Sequence, residues 1–448
     1  MEYDTVVIGG GTAGYIAGSV LGRKGKKVLV VEKEKFGGVC VNFGCVPSIF
    51  LFDVSFLLSR GKEIGYYIGL TNNIEFSSNL FEKRDEIVEY LSEAGRKLIE
   101  KSGGESSIGE ARIISKNEIE IERKNIKFKK LIIASGSKPK KPRIEGIDKA
   151  ISEDEAVRLK SKPNSMVVIG GGYAGTEIAQ IFSRLGSNVT LLARKCFLST
   201  LPEDARNIVR QSLEFDGVSI TENVKINRIY GEKVYTDKGV FEGEIVVYAT
   251  GREPNFPKGI ETLYLKINEN GIVVDENMKA NENVYAIGDI VDKCNKTAHS
   301  AMFNAFIAAL HILKDTNILR FVRKSDFKIP QVLYTDPQVG IVGDLREAKK
   351  FASFPFTAST RAIISGLREG YVKIGINENN EIVFGEVVGN KAEELINTLT
   401  IIVNSKMRIE SLALIPFVHP SFSEAITNAA KNFFGIDVDN YKDGNESH

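Results

Sequence analysis

The chain has 448 residues, with 59 Lys and Arg against 58 Asp and Glu, which gives a formal net charge of +1. This balance offers no electrostatic attraction for nucleic acid or an anionic membrane, so neither is expected as a partner. No uninterrupted apolar run approaches the ~20 residues of a membrane-spanning helix, and no signal peptide is expected before the first strand. A cytoplasmic protein of two to four domains is therefore expected, at roughly 100–200 residues per domain.

The chain opens with a strand–turn–helix–strand pattern between Asp4 and Glu32. An apolar strand leads into Gly9, Gly11 and Gly14, which fit the G-x-G-x-x-G pattern of a dinucleotide-binding turn. Glycines at these positions let backbone N–H groups approach a pyrophosphate at the helix N-terminus. Glu32 ends the second strand about 20 residues on, where an acidic residue accepts hydrogen bonds from a ribose. The pattern predicts a first dinucleotide site.

A cysteine pair follows in G-G-V-C-V-N-F-G-C-V-P-S, where Cys40 and Cys45 are separated by four residues. This spacing does not fit a C-x-x-C zinc site, and a close pair in a cytosolic protein is more often catalytic than structural. Pro47 favours the first turn of a helix, so Cys45 is expected at a helix N-terminus, where the dipole stabilises a thiolate. A redox-active disulfide explains these features better than two buried, unlinked thiols.

The next segments carry local patterns of helix and strand. Residues 51–101 have the spacing of one or two helices, and residues 105–135 have the pattern of short strands. The Pro/Lys-rich stretch 138–142 is a plausible domain boundary. Further along, residues 215–250 are strand-like, and an Ala-rich helix is expected at about Ala298–Leu313.

The strand–turn–helix–strand pattern recurs between Met166 and Arg194. Gly170, Gly172 and Gly175 repeat the spacing of the first turn, so a second dinucleotide site is predicted.

The end of this second pattern bears on the choice of nicotinamide. Ala193 stands where the first pattern has its acidic residue, and Arg194 and Lys195 follow it. An acidic side chain there would bind a ribose 2′-hydroxyl and repel a 2′-phosphate, so its absence beside two cations favours the phosphate. NADPH is therefore expected, with NADH less favoured. The alternative is that Arg194 and Lys195 only form a solvated turn.

The C-terminal part changes to strands followed by helices from about Phe327, which indicates a separate α+β domain. Here His419 lies in F-V-H-P-S-F-S-E, five residues before Glu424. A histidine oriented by a carboxylate is the usual acid–base arrangement for thiol chemistry. Alone, such a pair is more often structural; together with a redox cysteine pair, catalysis is the better interpretation. His311, in the Ala-rich helix, is expected to be structural.

In this order the motifs resemble the class I pyridine nucleotide–disulfide oxidoreductases, which include dihydrolipoamide dehydrogenase, glutathione reductase and mercuric reductase. The resemblance extends from Tyr3 to about Gly435. It implies an α/β fold with two Rossmann-like dinucleotide-binding domains, as in glutathione reductase, and a C-terminal α+β dimerisation domain. The predicted boundaries are 1–145 for a first FAD-binding segment, 146–265 for the NAD(P)H-binding domain, 266–326 for a central FAD-binding segment and 327–448 for the dimerisation domain.

The resemblance also implies FAD, a homodimer and a path for electrons. Electrons would pass from NADPH to the flavin and then to the Cys45 sulfur that faces it, while Cys40 would be the exposed thiol that exchanges with substrate. His419 and Glu424 would serve the cysteine pair of the partner subunit. The catalytic residues would be Cys40, Cys45, His419 and Glu424, and the cofactor-binding residues would be Gly9, Gly11, Gly14, Glu32, Gly38, Gly136, Gly170, Gly172, Tyr173, Gly175, Glu177, Arg194, Lys195, Gly251 and Asp289.

Some of these positions carry more specific expectations from the resemblance. Asp289, in Y-A-I-G-D, would meet the ribityl chain of the flavin. Tyr173 would either pack as an ordinary aromatic residue or cover the flavin ring until nicotinamide displaces it. Ile49 stands where most of the family has a lysine near the flavin N5, which pairs with a glutamate matching Glu177. That ion pair cannot form in this chain.

Three hypotheses remain open for the substrate. The leading hypothesis is NADPH-dependent reduction of Hg(II) to Hg(0), with Hg(II) bound by the thiolates of Cys40 and Cys45. It rests on the NADPH-type turn, on Tyr173, which matches a tyrosine of glutathione and mercuric reductases, and on Y-T-D-P-Q-V (Tyr334–Val339), which resembles mercuric reductase. The tail lacks the C-terminal cysteine pair of bacterial mercuric reductases, and His419 stands where they have tyrosine. The alternative is therefore dihydrolipoamide dehydrogenase or another reductase of low-molecular-weight disulfides. A non-enzymatic flavin-binding subunit is the third possibility, and it leaves the cysteine pair without a purpose.

Overall fold

The two repeated patterns fold as βαβ units with parallel strands, each in its own sheet. The computed structural model describes residues 2–68, 77, 79–319 and 327–440. Up to the end of the second unit, the elements are β1 (Glu2–Ile8), α1 (Thr12–Arg23), β2 (Val28–Glu32), α2 (Gly38–Asn42), α3 (Cys45–Ile68), α4 (Leu80–Lys101), β3 (Glu105–Ile108), β4 (Arg112–Ser115), β5 (Glu118–Ile121), β6 (Lys124–Ile133), β7 (Ser137–Pro139), β8 (Ile151–Ser152), α5 (Glu153–Ala156), β9 (Ser165–Ile169), α6 (Tyr173–Arg184) and β10 (Asn188–Leu192).

The middle of the chain contains mostly short strands and the Ala-rich helix. Its elements are α7 (Glu203–Phe215), β11 (Ser219–Thr221), β12 (Ile226–Tyr230), β13 (Lys233–Thr236), β14 (Gly239–Glu242), β15 (Ile245–Tyr248), β16 (Arg252–Pro254), β17 (Ile267–Asn268), β18 (Gly271–Ile272), β19 (Val284–Ala286), α8 (Ala298–Leu313) and α9 (Thr316–Leu319). The C-terminal elements are β20 (Gln331–Leu333), β21 (Gln338–Gly343), β22 (Lys350–Pro355), α10 (Thr360–Ser365), β23 (Tyr371–Ile376), β24 (Ile382–Gly389), α11 (Ala392–Asn404), α12 (Ile409–Leu414) and α13 (Glu424–Phe433).

The first sheet has the order β3–β2–β1–β6–β5–β4, and β19 also pairs with β6. Strand β1 runs parallel to both β2 and β6, with Val7 opposite Val30 on one side and Ile132 on the other. The segments Val6–Ile8, Val28–Val31 and Leu131–Ile133 of these strands are apolar and buried, because the sheet is covered on both faces there. On one face α1 packs against α8. The carboxyl ends of β1, β6 and β19 therefore meet at one edge, which is where ligands bind in open α/β sheets.

The second sheet contains β10–β9–β15–β8 in this order, all in parallel. Its central register places Val168 opposite Leu191 and Val247. Outside it, β7 and β16 pair in antiparallel fashion, so the Pro/Lys-rich stretch predicted as a connector begins inside a two-stranded ribbon.

The C-terminal sheet is antiparallel, in the order β20–β21–β24–β23–β22. Helix α11 packs on β21 and β24, and α13 packs on β22 and β23. Buried residues of both helices, including Leu395, Leu399 and Ile426, form one hydrophobic core with the sheet. The predicted fold class, two Rossmann-like units and a separate α+β domain, is confirmed.

The chain divides into two compact units. One contains Met1–Arg194 and Asn223–Ser325, and the other contains Lys195–Glu222 and Asp326–His448. The finer division into four segments remains a prediction. The helix predicted at Ala298–Leu313 is confirmed. The prediction of one or two helices in 51–101 is also confirmed by α3 and α4 in the described part of that range, although α3 begins earlier, at Cys45. Residues 441–448, which include His448, lie outside the described residues.

One helical stretch bears on the expectation about apolar segments. The helical stretch Gly38–Lys62 has 25 residues and is long and apolar enough to cross a membrane by length and composition alone. Polar residues such as Asn42, Asp53 and Arg60 interrupt its apolar side chains, so it contains no long unbroken apolar run. Core helices of soluble proteins pass the same test, and this stretch is 39% buried within the protein. It also carries both cysteines of the candidate redox pair.

Candidate functional site

The first glycine turn, between β1 and α1, requires glycine for steric reasons. Gly9 has a φ of +108°, and a Cβ there would lie 2.3 Å from the carbonyl oxygen of Ala134. A Cβ at Gly14 would lie 1.8 Å from the carbonyl oxygen of Gly9. Any side chain at these two positions would therefore force the turn apart.

The same turn is packed against the segment that carries the cysteines. A Cβ at Gly38 would lie 2.6 Å from the Cα of Gly11, and the amide of Gly37 donates to the carbonyl of Gly10 at 2.9 Å. Gly38 has a φ of +59°, a conformation that favours glycine. The close approach of the two backbones fixes the start of α2, and with it Cys40, beside the first turn.

Glu32 is oriented by the turn that it was predicted to serve. Its carboxylate accepts hydrogen bonds from the amide of Gly10 at 2.7 Å and from the amide of Glu34 at 3.1 Å. Burial raises the pKa of Glu32, and these backbone hydrogen bonds oppose that effect. The carboxylate is thus fixed at the end of β2, next to the glycine turn, where a ribose is expected.

The first turn fits the pyrophosphate of FAD on structural grounds. Helix α1 begins after Gly11 without a side-chain cap, so its first N–H groups are left for a ligand. Gly136, which follows β6 at the same edge of the sheet, has a φ of +67° and open space where a Cβ would lie. Gly9, Gly11, Gly14, Gly38 and Gly136 thus make a cradle of bare backbone.

The second turn repeats this geometry. A Cβ at Gly170 would lie 2.0 Å from the carbonyl oxygen of Ala249, and one at Gly175 would lie 1.9 Å from that of Gly170. Helix α6 begins after Gly172, again without a side-chain cap. Gly251 matches Gly136, with a φ of +93° and open space beside it.

The register of the two units shows which residue replaces Glu32. The amide of Gly9 donates to the carbonyl of Val31, and the amide of Gly170 donates to the carbonyl of Leu192. The residues that follow these carbonyls are Glu32 and Ala193, so the two occupy equivalent positions. Ala193 is buried.

The two cations that follow Ala193, Arg194 and Lys195, are exposed at the end of β10. Tyr173, the first residue of α6, and Glu177, one turn on, are half-buried. These residues keep their predicted positions at the second turn.

The cysteine pair lies where α2 ends and α3 begins, with Cys45 as the first residue of α3 and Pro47 in its first turn, as predicted. Both cysteines are free thiols and half-buried. A hydrogen bond between the two thiols is the largest effect on each: it lowers the pKa of Cys40 and raises that of Cys45. The two sulfurs therefore differ in acidity, and Cys40 is the more acidic of the two.

This result corrects one expectation. The helix N-terminus was expected to stabilise a thiolate at Cys45, whereas the pKa of Cys45 is raised. After the hydrogen bond to Cys40, the causes are burial and the negative charge of Cys40, with Glu177 adding a smaller contribution. Glu177 belongs to α6, which packs against α3, so the second βαβ unit influences the redox pair electrostatically.

Thr12 is a site residue that the sequence did not reveal. It is the first residue of α1, it is buried, and its hydroxyl hydrogen-bonds to Cys40, which lowers the pKa of that thiol. Its position directly after Gly11 in the turn is the sequence feature from which it could have been predicted. The charge of Asp289 acts in the opposite sense and raises the pKa of Cys40.

Asp289 lies in a short 3₁₀ helix directly after β19, at the edge of the first sheet. Its Oδ2 accepts a hydrogen bond of 2.7 Å from the Ser137 hydroxyl, which in turn accepts one of 2.9 Å from Nε of Arg252. Arg252 also binds Glu153 and Asp154. Burial raises the pKa of Glu153 to about 7, against the opposing charge of Arg252. Ser137, Arg252, Glu153 and Asp154 were not predicted, although Arg252 and Ser137 each follow a predicted glycine.

The predicted acid–base pair is formed in the C-terminal unit. Nδ1 of His419 lies 2.9 Å from Oε1 of Glu424, and the amide of Ser421 donates to Oε2 of Glu424 at 2.8 Å. An ionised carboxylate only accepts, so Nδ1 is the donor in this bond, and in a neutral imidazole Nε2 is then the acceptor. The imidazole is 67% exposed and the carboxylate only 22%, so a fixed carboxylate orients an accessible ring.

Among the residues that the structure describes, no group of three or more His, Cys, Asp or Glu side chains could hold a metal ion. The predicted Hg(II) ligands, Cys40 and Cys45, are only two, so this result does not bear on them.

Comparisons with known proteins agree with this geometry. Residues 3–305 match the family described as pyridine nucleotide-disulphide oxidoreductase, and residues 329–430 match the dimerisation domain of the same family. The chain is 30% identical to dihydrolipoyl dehydrogenase of Mycoplasma genitalium over 460 residues, covering 96% of this chain and 98% of the relative. It is also 30% identical to dihydrolipoyl dehydrogenase of Staphylococcus aureus over 465 residues, covering 98% of each.

Among solved structures, the HOCl-induced flavoprotein disulfide reductase RclA from Escherichia coli superposes with a TM-score of 0.86 at 22% identity. The match covers 96% of this chain and 99% of the other. At this identity the likeness establishes the fold.

Proposed function

Since the chain belongs to the pyridine nucleotide-disulphide oxidoreductase family, we propose that it exchanges electrons between a nicotinamide cofactor and a small dithiol or disulfide of the dihydrolipoamide type. The observation that carries this proposal is the Cys40–Cys45 pair, in which one thiol hydrogen-bonds the other beside the first glycine turn. The matched dimerisation domain supports a homodimer.

FAD, when bound, supplies a ring system that accepts an electron pair from the nicotinamide and delivers it to the cysteine pair, or the reverse. The chain contributes binding and orientation. Glu32 would accept hydrogen bonds from a ribose, and the uncapped N-terminus of α1 would bind the pyrophosphate. The uncapped N-terminus of α6 would do the same for the nicotinamide dinucleotide.

The two cysteines have separate roles in disulfide exchange. In the direction of dithiol oxidation, a substrate thiolate attacks the Cys40 sulfur, the Cys40–Cys45 bond breaks, and Cys45 leaves as a thiolate. The second thiol of the substrate, once deprotonated, then attacks the first substrate sulfur, which is bonded to Cys40. This step releases the cyclic disulfide and the Cys40 thiolate. The lowered pKa of Cys40 makes it the better leaving group in this second step.

A base must accept the protons of the substrate thiols. Nε2 of His419 is accessible and is left as the acceptor by the Nδ1 hydrogen bond to Glu424. In the homodimer, His419 of one subunit would serve the cysteine pair of the other. This arrangement suits a thiol substrate, because Hg(II) reduction has no thiol proton to remove.

The nicotinamide preference is proposed from the second βαβ unit. Ala193 occupies the position equivalent to Glu32, and two exposed cations follow it. This arrangement favours the 2′-phosphate of NADP(H). The curated relatives described above are named only for the dihydrolipoyl substrate, so we keep NADPH as the proposal and NADH as its alternative.

The mercuric reductase hypothesis has less support. The relatives described above carry the dihydrolipoyl dehydrogenase name over nearly the whole chain, and His419 with Glu424 forms the acid–base pair that a dithiol requires.

A substrate panel tests the proposal. The FAD-loaded protein would be assayed with dihydrolipoamide and NADP⁺ or NAD⁺, and with lipoamide, glutathione disulfide or HgCl2 and the reduced nicotinamides. We expect turnover of the lipoyl pair, and we expect Cys40→Ser to abolish it while Cys196→Ser, at an exposed cysteine outside the site, does not. Turnover with HgCl2 alone would favour mercuric reductase. Activity that survives Cys40→Ser would contradict the proposal.

A further inference from the structure

A chain of polar contacts leads from Glu153 and Asp154, at the start of α5, through Arg252 and Ser137 to Asp289. Nε of Arg252 donates to the Ser137 hydroxyl at 2.9 Å, and this hydroxyl donates to Oδ2 of Asp289 at 2.7 Å. Arg252 opens β16 and Ser137 opens β7, and the antiparallel pairing of these two strands brings the side chains together. Ser137 is almost fully buried, so water does not compete for these bonds.

The order of donors fixes the direction of the serine proton. A hydroxyl has a single proton, and an arginine Nε–H can only donate. Because Arg252 occupies an acceptor position on the Ser137 oxygen, the hydroxyl proton is directed to Asp289. Oδ2 of Asp289 is thereby engaged, and this hydrogen bond from Ser137 restrains the orientation of the carboxylate.

Arg252 is itself fixed at its far end. Its guanidinium donates to both oxygens of Asp154, at 2.6 and 3.2 Å, and to Oε1 of Glu153 at 3.2 Å. The guanidinium also donates to the backbone carbonyl of Ser137 at 3.2 Å. Nζ of Lys296 donates to the backbone carbonyl of Arg252 at 2.7 Å. The side chain of Arg252 is only 16% exposed. A bidentate pair on a buried arginine leaves it one orientation.

We propose that Arg252 and Ser137 are positioning residues that hold the Asp289 carboxylate in the orientation that accepts hydrogen bonds from the hydroxyl groups of the flavin's ribityl chain. This inference rests on the proposed function, because it assumes that FAD binds at the first turn. It goes further by assigning a task to the arginine that follows Gly251 and to the acidic pair Glu153 and Asp154. Those two carboxylates act through Arg252.

The proposal predicts an effect on one half of the cofactor only. ADP contains the adenosine diphosphate half of FAD but lacks the ribityl chain, so it reaches the glycine turn and Glu32 without meeting Asp289. In the full-length apoprotein, Ser137→Ala should weaken FAD binding about tenfold, from the loss of one hydrogen bond to a charged group. ADP binding should not change. Arg252→Lys should act in the same direction, because lysine lacks the fixed Nε–H.

Affinities would be measured by quenching of flavin fluorescence for FAD, and by calorimetry for ADP. Ser187→Ala is the matched control, since Ser187 is also buried in the same compact unit and its hydroxyl donates to the carbonyl of Pro163. It should leave both affinities unchanged. Thermal unfolding of each apoprotein identifies a variant that has lost its fold.

A double-mutant cycle separates positioning from a general structural role. In an Asp289→Asn background, Ser137→Ala should cause almost no further loss of FAD affinity, because its effect acts through Asp289. Equal losses for FAD and ADP, or additive losses in the cycle, would overturn the proposal. An apoprotein that binds no FAD would instead overturn the proposed function itself.

Discussion

The Cys45 thiol donates a hydrogen bond to the Cys40 sulfur, and this bond is the largest of the effects that lower the pKa of Cys40. The same bond, with burial next, raises the pKa of Cys45. The bond therefore favours the thiolate at Cys40 over that at Cys45. This difference in acidity supports the exchange role that we propose for Cys40.

Replacing the donor tests this relationship. Cys45→Ala should raise the pKa of Cys40, whereas Cys45→Ser should raise it less, because the serine hydroxyl still donates. The measurement is the rate of alkylation of Cys40 in the reduced protein as a function of pH, followed by mass spectrometry of the Cys40 peptide. Cys196→Ala is the control, and it should leave the profile unchanged. Identical profiles for the alanine and serine variants at position 45 would contradict the assignment.

Thr12 should contribute to the same thiolate. Thr12→Val keeps the shape of the side chain but removes the hydroxyl that hydrogen-bonds to Cys40, so the pKa of Cys40 should rise. Thr400→Val in α11 is the matched control, because its hydroxyl donates to the carbonyl of Ile396. The same alkylation profile serves as the readout. A profile that stays at the wild-type pH in Thr12→Val would rule out a role for this hydroxyl.

The glycine turns could be predicted from sequence because their spacing is a local signal. A Cβ at Gly14 would clash with Gly9 of the same turn at 1.8 Å, whereas a Cβ at Gly9 would clash at 2.3 Å with Ala134, which follows β6. The same spacing at Gly170 and Gly175 has the same cause. The Ala-rich helix Ala298–Leu313 was predictable for a similar reason, since its composition and its periodic apolar positions lie within one segment.

The network around Asp289 could not be predicted, because its members are distant in sequence. Ser137 and Arg252 meet through the pairing of β7 with β16, and Asp289 reaches them through β19, which pairs with β6. Local patterns do not encode such contacts. The acidity of the two thiols was also mispredicted, because the helix dipole is a local feature, whereas burial and the partner thiol depend on the tertiary structure.

Ile49 gives a way to alter the redox pair by charge. It lies four residues after Cys45 on α3, so the two side chains share a face of the helix. Ile49→Lys should lower the pKa of Cys45, since a nearby cation favours the thiolate. Ile49→Met is the control, because it adds length without charge. The alkylation rate of Cys45 against pH is the measurement, and an equal effect of the two substitutions would show that charge is not the cause.

Specificity for the nicotinamide should depend on position 193. Ala193→Glu restores the acidic residue that the first βαβ unit has at Glu32, so it should repel a 2′-phosphate. The ratio of kcat/KM for NADPH over NADH should fall by about tenfold or more, which is the effect of about 1.4 kcal/mol in binding. Ala193→Gln is the uncharged control. If wild-type protein already prefers NADH, the proposed role of Arg194 and Lys195 is wrong.

A buried carboxylate in the C-terminal sheet gives stability a distinct pH dependence. Glu386 is fully buried, and burial raises its pKa from 4.5 to about 7, with the charge of Lys373 opposing the shift. Between these values the folded protein holds a proton that the unfolded chain has released, so stability falls as pH rises through this window. The loss should approach about 3 kcal/mol above pH 7.

Urea unfolding at pH 5 and at pH 8 would measure this loss. Glu386→Gln should be more stable than wild type at pH 8 and should lose most of the difference at pH 5. Glu410→Gln should change the stability in the opposite direction, because hydrogen bonds from Asn380 and Arg408 lower the pKa of Glu410 to about 2. Its removal should cost stability at pH 8. Parallel behaviour of the two variants would contradict the assignment for Glu386.

Anaerobic reduction tests the central claim, that a flavin and the Cys40–Cys45 pair form one redox unit. The FAD-loaded protein would be titrated with dithionite while flavin absorbance and free thiols are followed. Wild-type protein should take up one electron pair for the flavin and one for the disulfide in each subunit, and Cys40→Ser should take up only the pair for the flavin. Equal uptake by wild type and Cys40→Ser would contradict the claim.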